Sequence, residues 1–303
     1  PPQIGKLKKL IILELGDNKL NDLPSGIGEL DKLLRLNLAI NQLKSISDSI
    51  GKLNDLRYLN LNKNQIKIVP LAMGLLTKLE SLYLKFNQLD SLPKEIGNLT
   101  NLTTLGLDDN HLRSLPIEFT NLNKLQSLEL AKNPLYRVPP QIWKLKELKY
   151  LVLDNDSLTR LPAEIGELNK LINLFLSSNQ LDSLPIEIGR LRNLQKLSLA
   201  INYFDNITDS IGSLRDLRYL NLNKNKFKNV PPAIQLLTSL ESLYLKYNQL
   251  DSLPKEIGNL KNLTILGLDD NRLRSLPKEL VNLTKLKSLE LSKNPLYNVP
   301  AEV

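Results

Sequence analysis

The chain has 303 residues, with 40 Lys and Arg against 32 Asp and Glu and a net charge of +8 at neutral pH. It contains no Cys, which excludes disulfides, thiolate metal sites and a Cys nucleophile. Charges of both signs are interspersed, and no stretch approaches the roughly 18 apolar residues of a membrane span. The sequence therefore predicts no membrane span and no nucleic-acid partner.

The pattern Leu-x-x-Leu-x-Leu-x-x-Asn recurs thirteen times at a spacing of 23 residues, from Leu10 to Asn294, without an insertion and with Asp156 in place of Asn in one copy. The Leu-x-Leu step alternates with period two, which predicts a short strand in each repeat. The Pro that follows, for example Pro93, suits the first position of a helical turn. Ile96 and Leu99 direct that turn back onto the core. Because so small a unit buries its apolar face only against its neighbours, the repeat predicts a solenoid.

The predicted fold class is an α/β solenoid. It is a curved horseshoe with a concave parallel β-sheet of about 13 short strands and short helical or 3-10 turns on the convex side. The predicted organisation is a single domain over residues 1–303, made of 13 repeats of 23 residues. No separate catalytic domain is expected.

The Asn that ends each motif is predicted to be structural. A buried amide can donate to and accept from backbone groups that the bend of the chain leaves unpaired. The column runs from Asn18 to Asn294 and is broken once, at Asp156. A carboxylate accepts hydrogen bonds but does not donate unless protonated. Two interpretations of Asp156 stay open: a local adjustment of the structure, and a functional kink or cation contact.

A second period of 161 residues, which equals seven repeats, lies inside the first. Residues 81–98 and 242–259 differ at a single position, as do residues 105–116 and 266–277. The outward positions of the strands recur together with the core positions. The duplication therefore predicts two equivalent patches on the concave surface, about 34 Å apart along the sheet.

Each patch is predicted to be aromatic and basic on one side and acidic on the other, and exposed aromatic residues are common in binding hot spots. The predicted anchors are Tyr83, Phe86, Tyr244 and Tyr247, with Tyr58 and Tyr219 beside them. The lysines expected to set the electrostatic preference are Lys63, Lys85, Lys224 and Lys246. The acidic patches consist of Asp108, Asp109, Glu129, Asp269, Asp270 and Glu290. A third, central candidate contains Tyr150, Val152 and Phe175.

The competing interpretation of these residues is structural. A recent duplication preserves every position, and rows of aromatic side chains on a sheet also stabilise it by packing against one another.

Residues for catalysis are missing from the sequence. The one His, His111, has Arg272 as its counterpart seven repeats later, so a catalytic triad or a His metal site is not expected. No nucleotide-binding or hydrolase motif is found. A calcium site on Asp108 and Asp109 would need six or more oxygen ligands, and the spacing does not supply them. We therefore predict a protein that is not an enzyme and has no cofactor or metal.

Residues 92–102 read Leu-Pro-x-Glu-Ile-Gly-x-Leu-x-x-Leu. This unit resembles the 23-residue subclass of leucine-rich repeats. The array resembles surface or secreted arrays of bacteria such as Leptospira, and it is also similar to scaffold arrays that bind Ras-type GTPases and to the repeat arms of Roco proteins. The resemblance implies binding of a protein ligand through the concave face and, for bacterial members, recognition of host proteins or glycans. It favours a bacterial secreted or surface location over a cytoplasmic one.

Three functions remain in competition. The first is a non-catalytic module that binds a protein ligand. The second is the regulatory or scaffold arm of a larger signalling enzyme. The third is an adhesin for an anionic glycan, which the excess of Lys and Arg would attract.

The terminal repeats are expected to leave apolar core open, because the usual polar outer face of an end repeat is not seen at Ile11–Leu15 or at Leu286–Leu291. We expect the 303-residue chain to self-associate, end to end or as a dimer, through these uncapped repeats. Light scattering at high protein concentration measures this association. A clean monomer would contradict the expectation.

Overall fold

The computed structural model describes residues 2–299. The chain forms two compact units, of which unit 1 ends at Val152 and unit 2 begins at Leu153. Over the described residues, every repeat contributes one strand of three residues and one 3-10 turn of five residues. Within each unit the strands pair in parallel and in chain order. The single-domain organisation stays a prediction.

In unit 1 the strands β1–β7 span Ile12–Glu14, Arg35–Asn37, Tyr58–Asn60, Ser81–Tyr83, Thr104–Gly106, Ser127–Glu129 and Tyr150–Val152. The 3-10 turns η1–η7 span Pro2–Lys6, Ser25–Glu29, Asp48–Lys52, Leu71–Leu75, Lys94–Asn98, Ile117–Asn121 and Pro140–Lys144. In unit 2 the strands β8–β13 span Asn173–Phe175, Lys196–Ser198, Tyr219–Asn221, Ser242–Tyr244, Ile265–Gly267 and Ser288–Glu290. The turns η8–η13 span Ala163–Glu167, Ile186–Arg190, Asp209–Ser213, Pro232–Leu236, Lys255–Asn259 and Lys278–Asn282.

The predicted fold class is confirmed by these elements. The motif leucines fill the interior, as Leu79, Leu82 and Leu84 do in the fourth repeat, where all three are fully buried. The turns are 3-10 turns, and the part of the chain that the structure describes contains no α-helix. A 3-10 turn of five residues is enough to carry Ile96 into the core and return the chain to the next strand.

The Asn column has the predicted structural role. The Asn87 amide donates hydrogen bonds to the carbonyls of Leu61 and Leu84, each at 3.0 Å. Its side-chain oxygen accepts from the N–H of Ile66, also at 3.0 Å. Two of these three partners belong to the preceding repeat. The amide therefore gives a partner to a backbone carbonyl at the bend of its own repeat, and it joins that repeat to the preceding one by hydrogen bonds.

At the break in this column the structure shows a local adjustment. Asp156 is fully buried, and its N–H donates to the side-chain oxygen of Asn179 at 3.0 Å. The same oxygen accepts from the N–H of Leu158, so the amide of the following repeat holds both groups. Ser157 takes a left-handed backbone conformation with a φ of 57°. No group of carboxylates or imidazoles suited to a metal ion is found among the described residues.

The glycine in the turn lets consecutive turns approach closely. A Cβ placed on Gly97 would lie 2.3 Å from the carbonyl oxygen of Glu118 in the next turn, so η6 would have to move away. In the turn η11 the residue at this position is Gln235, and η11 and η12 are less closely packed than the neighbouring pairs of turns. The glycine therefore sets the spacing on the turn side of the repeats.

The terminal strands are less well buried than the others. Leu13 in β1 and Leu289 in β13 are half-buried, whereas Leu36 in β2 is fully buried. The expected self-association stays a prediction.

Replacing Asn87 by Ala is expected to lower the free energy of unfolding by about 2–4 kcal/mol, because buried backbone groups lose their partners. Chemical denaturation followed by circular dichroism measures this. The matched control is Asn123→Ala, at an exposed Asn outside the column, which we expect to change stability by less than about 0.5 kcal/mol. A loss at Asn87 as small as that expected at Asn123 would show that the column amide is dispensable.

Candidate functional site

The solvent-facing side chains of β2–β6 and of the residues just after them form the strand face of unit 1. Those of β9–β13 form the strand face of unit 2. Successive side chains of a strand point to opposite sides. In β4, for example, Leu82 is buried, while Ser81 and Tyr83 remain partly exposed. The sequence-predicted residues in these repeats thus share one face within each unit.

Aromatic rings contact one another on the strand face of unit 1. The ring centroids of Tyr58 and Tyr83 lie 5.5 Å apart with a tilt of 50°. The guanidinium of Arg35 lies 3.8 Å above the centre of the Tyr58 ring, and it also forms an ion pair with Glu14 at 2.7 Å. This stack fixes the orientation of rings that would otherwise move freely, so it prepares them for contact with a ligand.

The strand face of unit 2 has the same contact between two tyrosine rings. The centroids of Tyr219 and Tyr244 lie 5.5 Å apart with a tilt of 51°. Lys196 stands in place of Arg35. Burial raises the pKa of the Tyr219 hydroxyl above its ordinary value. The duplicated sequence therefore produces the same contact geometry in both units.

Lys85 does not act as a free basic group. Its ammonium lies 3.0 Å from Asp108 and also contacts Glu129, two strands away. The path between them crosses Gly106, where a Cβ would lie 2.6 Å from the Lys85 side chain. Lys246 likewise contacts Asp269 at 3.0 Å and Glu290 at 2.6 Å.

The predicted division into a basic and an acidic side therefore fails at these lysines. Each crosses a glycine to reach the acidic residues, and its charge is neutralised within the chain.

Burial and the attraction between opposite charges act against each other in these clusters. Burial raises the pKa of the Asp108 carboxyl, and the Lys85 ammonium opposes that rise. Burial alone would lower the pKa of Lys85, but its hydrogen bonds to Glu129 and Asp108 leave that pKa raised. Hydrogen bonds to Glu290 and Asp269 raise the pKa of Lys246. Asp108 also has a structural role, since it accepts the N–H of Ala131 at 2.9 Å.

The remaining predicted acidic residues form ion pairs beside these clusters. Asp109 lies 3.2 Å from Lys132, and Asp270 lies 3.5 Å from Lys293. These pairs involve residues that follow the strand and precede the column Asn. No carboxylate partner is found for Lys63 or Lys224 among residues 2–299. Each of these two lysines instead lies over an aromatic ring, Phe86 at 5.7 Å and Tyr247 at 5.3 Å.

The residue just before the column position adopts a left-handed backbone conformation in every repeat, with φ between 53° and 59°. No glycine occupies this position. The residues are Asp17, Ile40, Lys63, Phe86, Asp109, Lys132, Asn155, Ser178, Ile201, Lys224, Tyr247, Asp270 and Lys293. This conformation is uncommon outside Gly, Asn and Asp, and for a β-branched residue it is a marked outlier. Ile40 and Ile201 therefore carry backbone strain.

The central candidate stays a prediction. Tyr150 lies half-buried on β7 in unit 1 beside the buried Val152. Phe175 lies half-buried on β8 in unit 2. Both residues take part in interactions within the protein.

Three features of the site escape the sequence pattern. Gly106 and Gly267 clear the path of the lysines, and a glycine at an outward strand position is the signal that could have found them. The strain at Ile40 and Ile201 has no such signal, because this position accepts many residue types. Tyr203 in unit 2 is exposed, with Lys226 lying 4.6 Å from its ring centre, but its counterpart seven repeats earlier is Gln42.

A small cavity of about 290 Å³ lies between η11 and η12 in unit 2. It exists where Gln235 replaces the usual turn glycine. Val230, Ile234, Pro254 and Ile257 give it an apolar wall, and Gln235 and Glu256 are its polar side chains. These groups hold no nucleophile paired with a base, so the cavity does not resemble an active site.

His111 is exposed and lies 3.8 Å from Asp90, at the surface. Among residues 2–299, no helix is long and apolar enough to cross a membrane.

Comparisons with known proteins agree on one family. The model of the leucine-rich repeat region matches residues 37–133 and 199–298. A leucine-rich repeat protein of Leptospira interrogans is 37% identical, with a TM-score of 0.87 over 100% of this chain and 83% of that one. No curated protein sequence matches the chain significantly.

Two more distant structures share the fold. A plant peptide hormone receptor, solved in complex with the hormone RGF2, is 30% identical, with a TM-score of 0.75 over 97% of this chain and 53% of the receptor. An internalin of Listeria monocytogenes is 24% identical, with a TM-score of 0.73 over 97% of this chain and 88% of that one.

Replacing Ile40 by Asn is expected to stabilise the protein by about 1 kcal/mol, because Asn tolerates the left-handed conformation and Ile does not. The control is Ile68→Asn, at an isoleucine that is 75% exposed and has an ordinary backbone conformation. Thermal and chemical denaturation measure both variants. A gain at Ile68 equal to that at Ile40, or a loss at Ile40, would show that the strain is not the cause.

Proposed function

Because the chain belongs to the leucine-rich repeat family, we propose that it is a non-catalytic module that binds a protein ligand on its strand faces. Relatives of this fold are in general binding modules. The plant receptor that is 30% identical to this chain was solved with a peptide hormone bound, which supports a polypeptide ligand here too. The single observation that carries the proposal is the contact of Tyr58 with Tyr83, reproduced by Tyr219 with Tyr244.

These rings have the properties of a binding surface. Tyr and Phe side chains bury a large area on contact while losing few rotatable bonds. Phe86 and Tyr247 remain exposed beside the half-buried pairs. The rings are held by neighbouring rings and by cations, so a ligand meets a preorganised surface and less conformational entropy is lost on binding.

A bacterial setting for this binding is supported by the Leptospira relative, which covers the whole chain. Recognition of host molecules by a secreted or surface protein is the specific form of the proposal. Binding to an anionic glycan has weaker support, because Lys85 and Lys246 are engaged in ion pairs. The alternative function, as the regulatory arm of a larger enzyme, would also involve binding of a protein through these strand faces.

The test compares three versions of the whole chain in pull-downs from candidate host extracts. In the strand-face variant Tyr83, Phe86, Tyr244 and Tyr247 are replaced by Ala. In the control variant four exposed apolar residues of the turns are replaced by Ala, namely Leu71, Ile117, Ile186 and Val281. Circular dichroism melts show whether each variant is folded.

We expect proteins retained by the intact chain to be recovered about tenfold less by the strand-face variant, since several hot-spot side chains are removed. The control variant should retain them. Equal recovery by the strand-face variant and the intact chain would refute binding through these rings. Retention on heparin that disappears at high salt would favour the glycan alternative.

A further inference from the structure

We propose that each unit carries one docking row for an acidic polypeptide segment, in which a carboxylate is flanked by apolar side chains. The row in unit 1 consists of Ile40, Lys63 and Phe86, and the row in unit 2 consists of Ile201, Lys224 and Tyr247. One chain therefore binds two such segments. The inference rests on the proposed function and names the chemistry of its ligand.

Each row presents an apolar residue, a cation and an aromatic ring from three consecutive repeats. Ile40 and Phe86 are 46% and 45% exposed, and Ile201 and Tyr247 are 47% and 48% exposed. The lysine between them is exposed in both units. A large apolar side chain left in solvent on both sides of a cation offers contact area that the fold itself does not use.

Main-chain hydrogen bonds hold the row rigid. The N–H of Ile40 donates to Asn62, and the N–H of Lys63 donates to Lys85, both at 2.8 Å. The carbonyl of Phe86 accepts from Asn64 at 3.2 Å. In unit 2 the N–H of Lys224 donates to Lys246 at 2.8 Å. A ligand therefore contacts side chains on a fixed backbone, which reduces the entropy lost on binding.

Strain at the isoleucines supports a role outside folding. Ile40 and Ile201 adopt φ values of 58° and 56°. The left-handed conformation costs about 1–2 kcal/mol for such a residue, and the exposed side chains recover little of it by burial. Retained strain of this kind is typical of binding and catalytic positions.

The charges around each row select the sign of the ligand. Lys132 and Lys293 occupy the same repeat position as the row lysines, but Asp109 and Asp270 neutralise them. Only an aromatic ring lies against Lys63 and Lys224, and no carboxylate pairs with either among residues 2–299. A carboxylate of a ligand can therefore bind these ammonium groups without breaking an existing ion pair.

The neighbouring cluster limits how much negative charge the ligand can carry. Asp108 and Glu129 share one cation, Lys85, so the cluster keeps an excess carboxylate next to Phe86. A run of anionic groups along the strand face would be repelled there. The arrangement thus fits a single acidic residue between apolar residues, rather than a polyanion.

The probes are synthetic eight-residue peptides on an array, each with one central Glu and Leu or Phe on both sides. Matched peptides carry Gln or Lys in place of the Glu. We expect the Glu peptides to bind about tenfold more tightly than the Gln peptides, in line with one charged hydrogen bond. Binding should weaken as salt is raised. The Lys peptides should not bind.

Calorimetric titration of the best Glu peptide into the whole chain gives the stoichiometry, which we expect to be two peptides per chain. Lys63→Glu and Lys224→Glu should each reduce it to one, and the double variant should lose binding. The control is Lys52→Glu, which makes the same change of charge at an exposed position on η3. Circular dichroism melts confirm that every variant is folded.

Three results would overturn the inference: equal binding of Glu and Lys peptides, a Lys63→Glu variant that behaves like Lys52→Glu, or a single site that either substitution abolishes. Failure of the inference is distinguishable from failure of the proposed function. Suppose that the acidic peptides do not bind, but that the strand-face variant still recovers less protein in pull-downs than the intact chain. Then only the docking rows are refuted. If nothing depends on the strand faces, both proposals fail.

Discussion

The structure depends on one buried amide in each repeat. An Asn such as Asn87 donates to carbonyls of its own repeat and of the one before, and it accepts a backbone N–H in return. Without it, the sharp bend after each strand would leave polar groups unpaired inside an apolar interior. Since this amide fixes the bend, it also fixes the direction of the left-handed residue that precedes it. The buried core and the exposed row beside it therefore share one cause, which is the hydrogen bonding of this amide.

This cause explains why so much of the surface can vary. The buried leucines and the Asn hold the backbone, so the outward positions are free to carry Tyr83, Lys85 or Gly106 without changing the frame. Sites on rigid strands are more precise than sites on loops, because the neighbouring repeats fix each position. The contact of Tyr58 with Tyr83 is reproduced seven repeats later for this reason.

Much of the fold could be predicted from the sequence, because the period of 23 residues and the alternation around Leu82 have direct geometric meanings. The candidate site was predicted less well. The pattern places Lys85 on the correct face, but it does not show that its side chain crosses Gly106 to reach Glu129, since that depends on rotamers and on a missing Cβ. The strain at Ile40 could not be predicted from the sequence either. The repeat imposes the left-handed backbone at this position on many residue types, so no residue preference indicates it.

The reach of Lys85 has a consequence for how the array comes apart. The hydrogen bonds of the column Asn side chains join each repeat only to its neighbour. By themselves they couple adjacent repeats and no others. Lys85 and Glu129 are separated by 44 residues, and their contact connects the fourth repeat directly to the sixth. Lys246 and Glu290 do the same for the last three repeats. These two contacts therefore couple repeats that are not adjacent, so the interactions within each unit reach further than a single repeat interface.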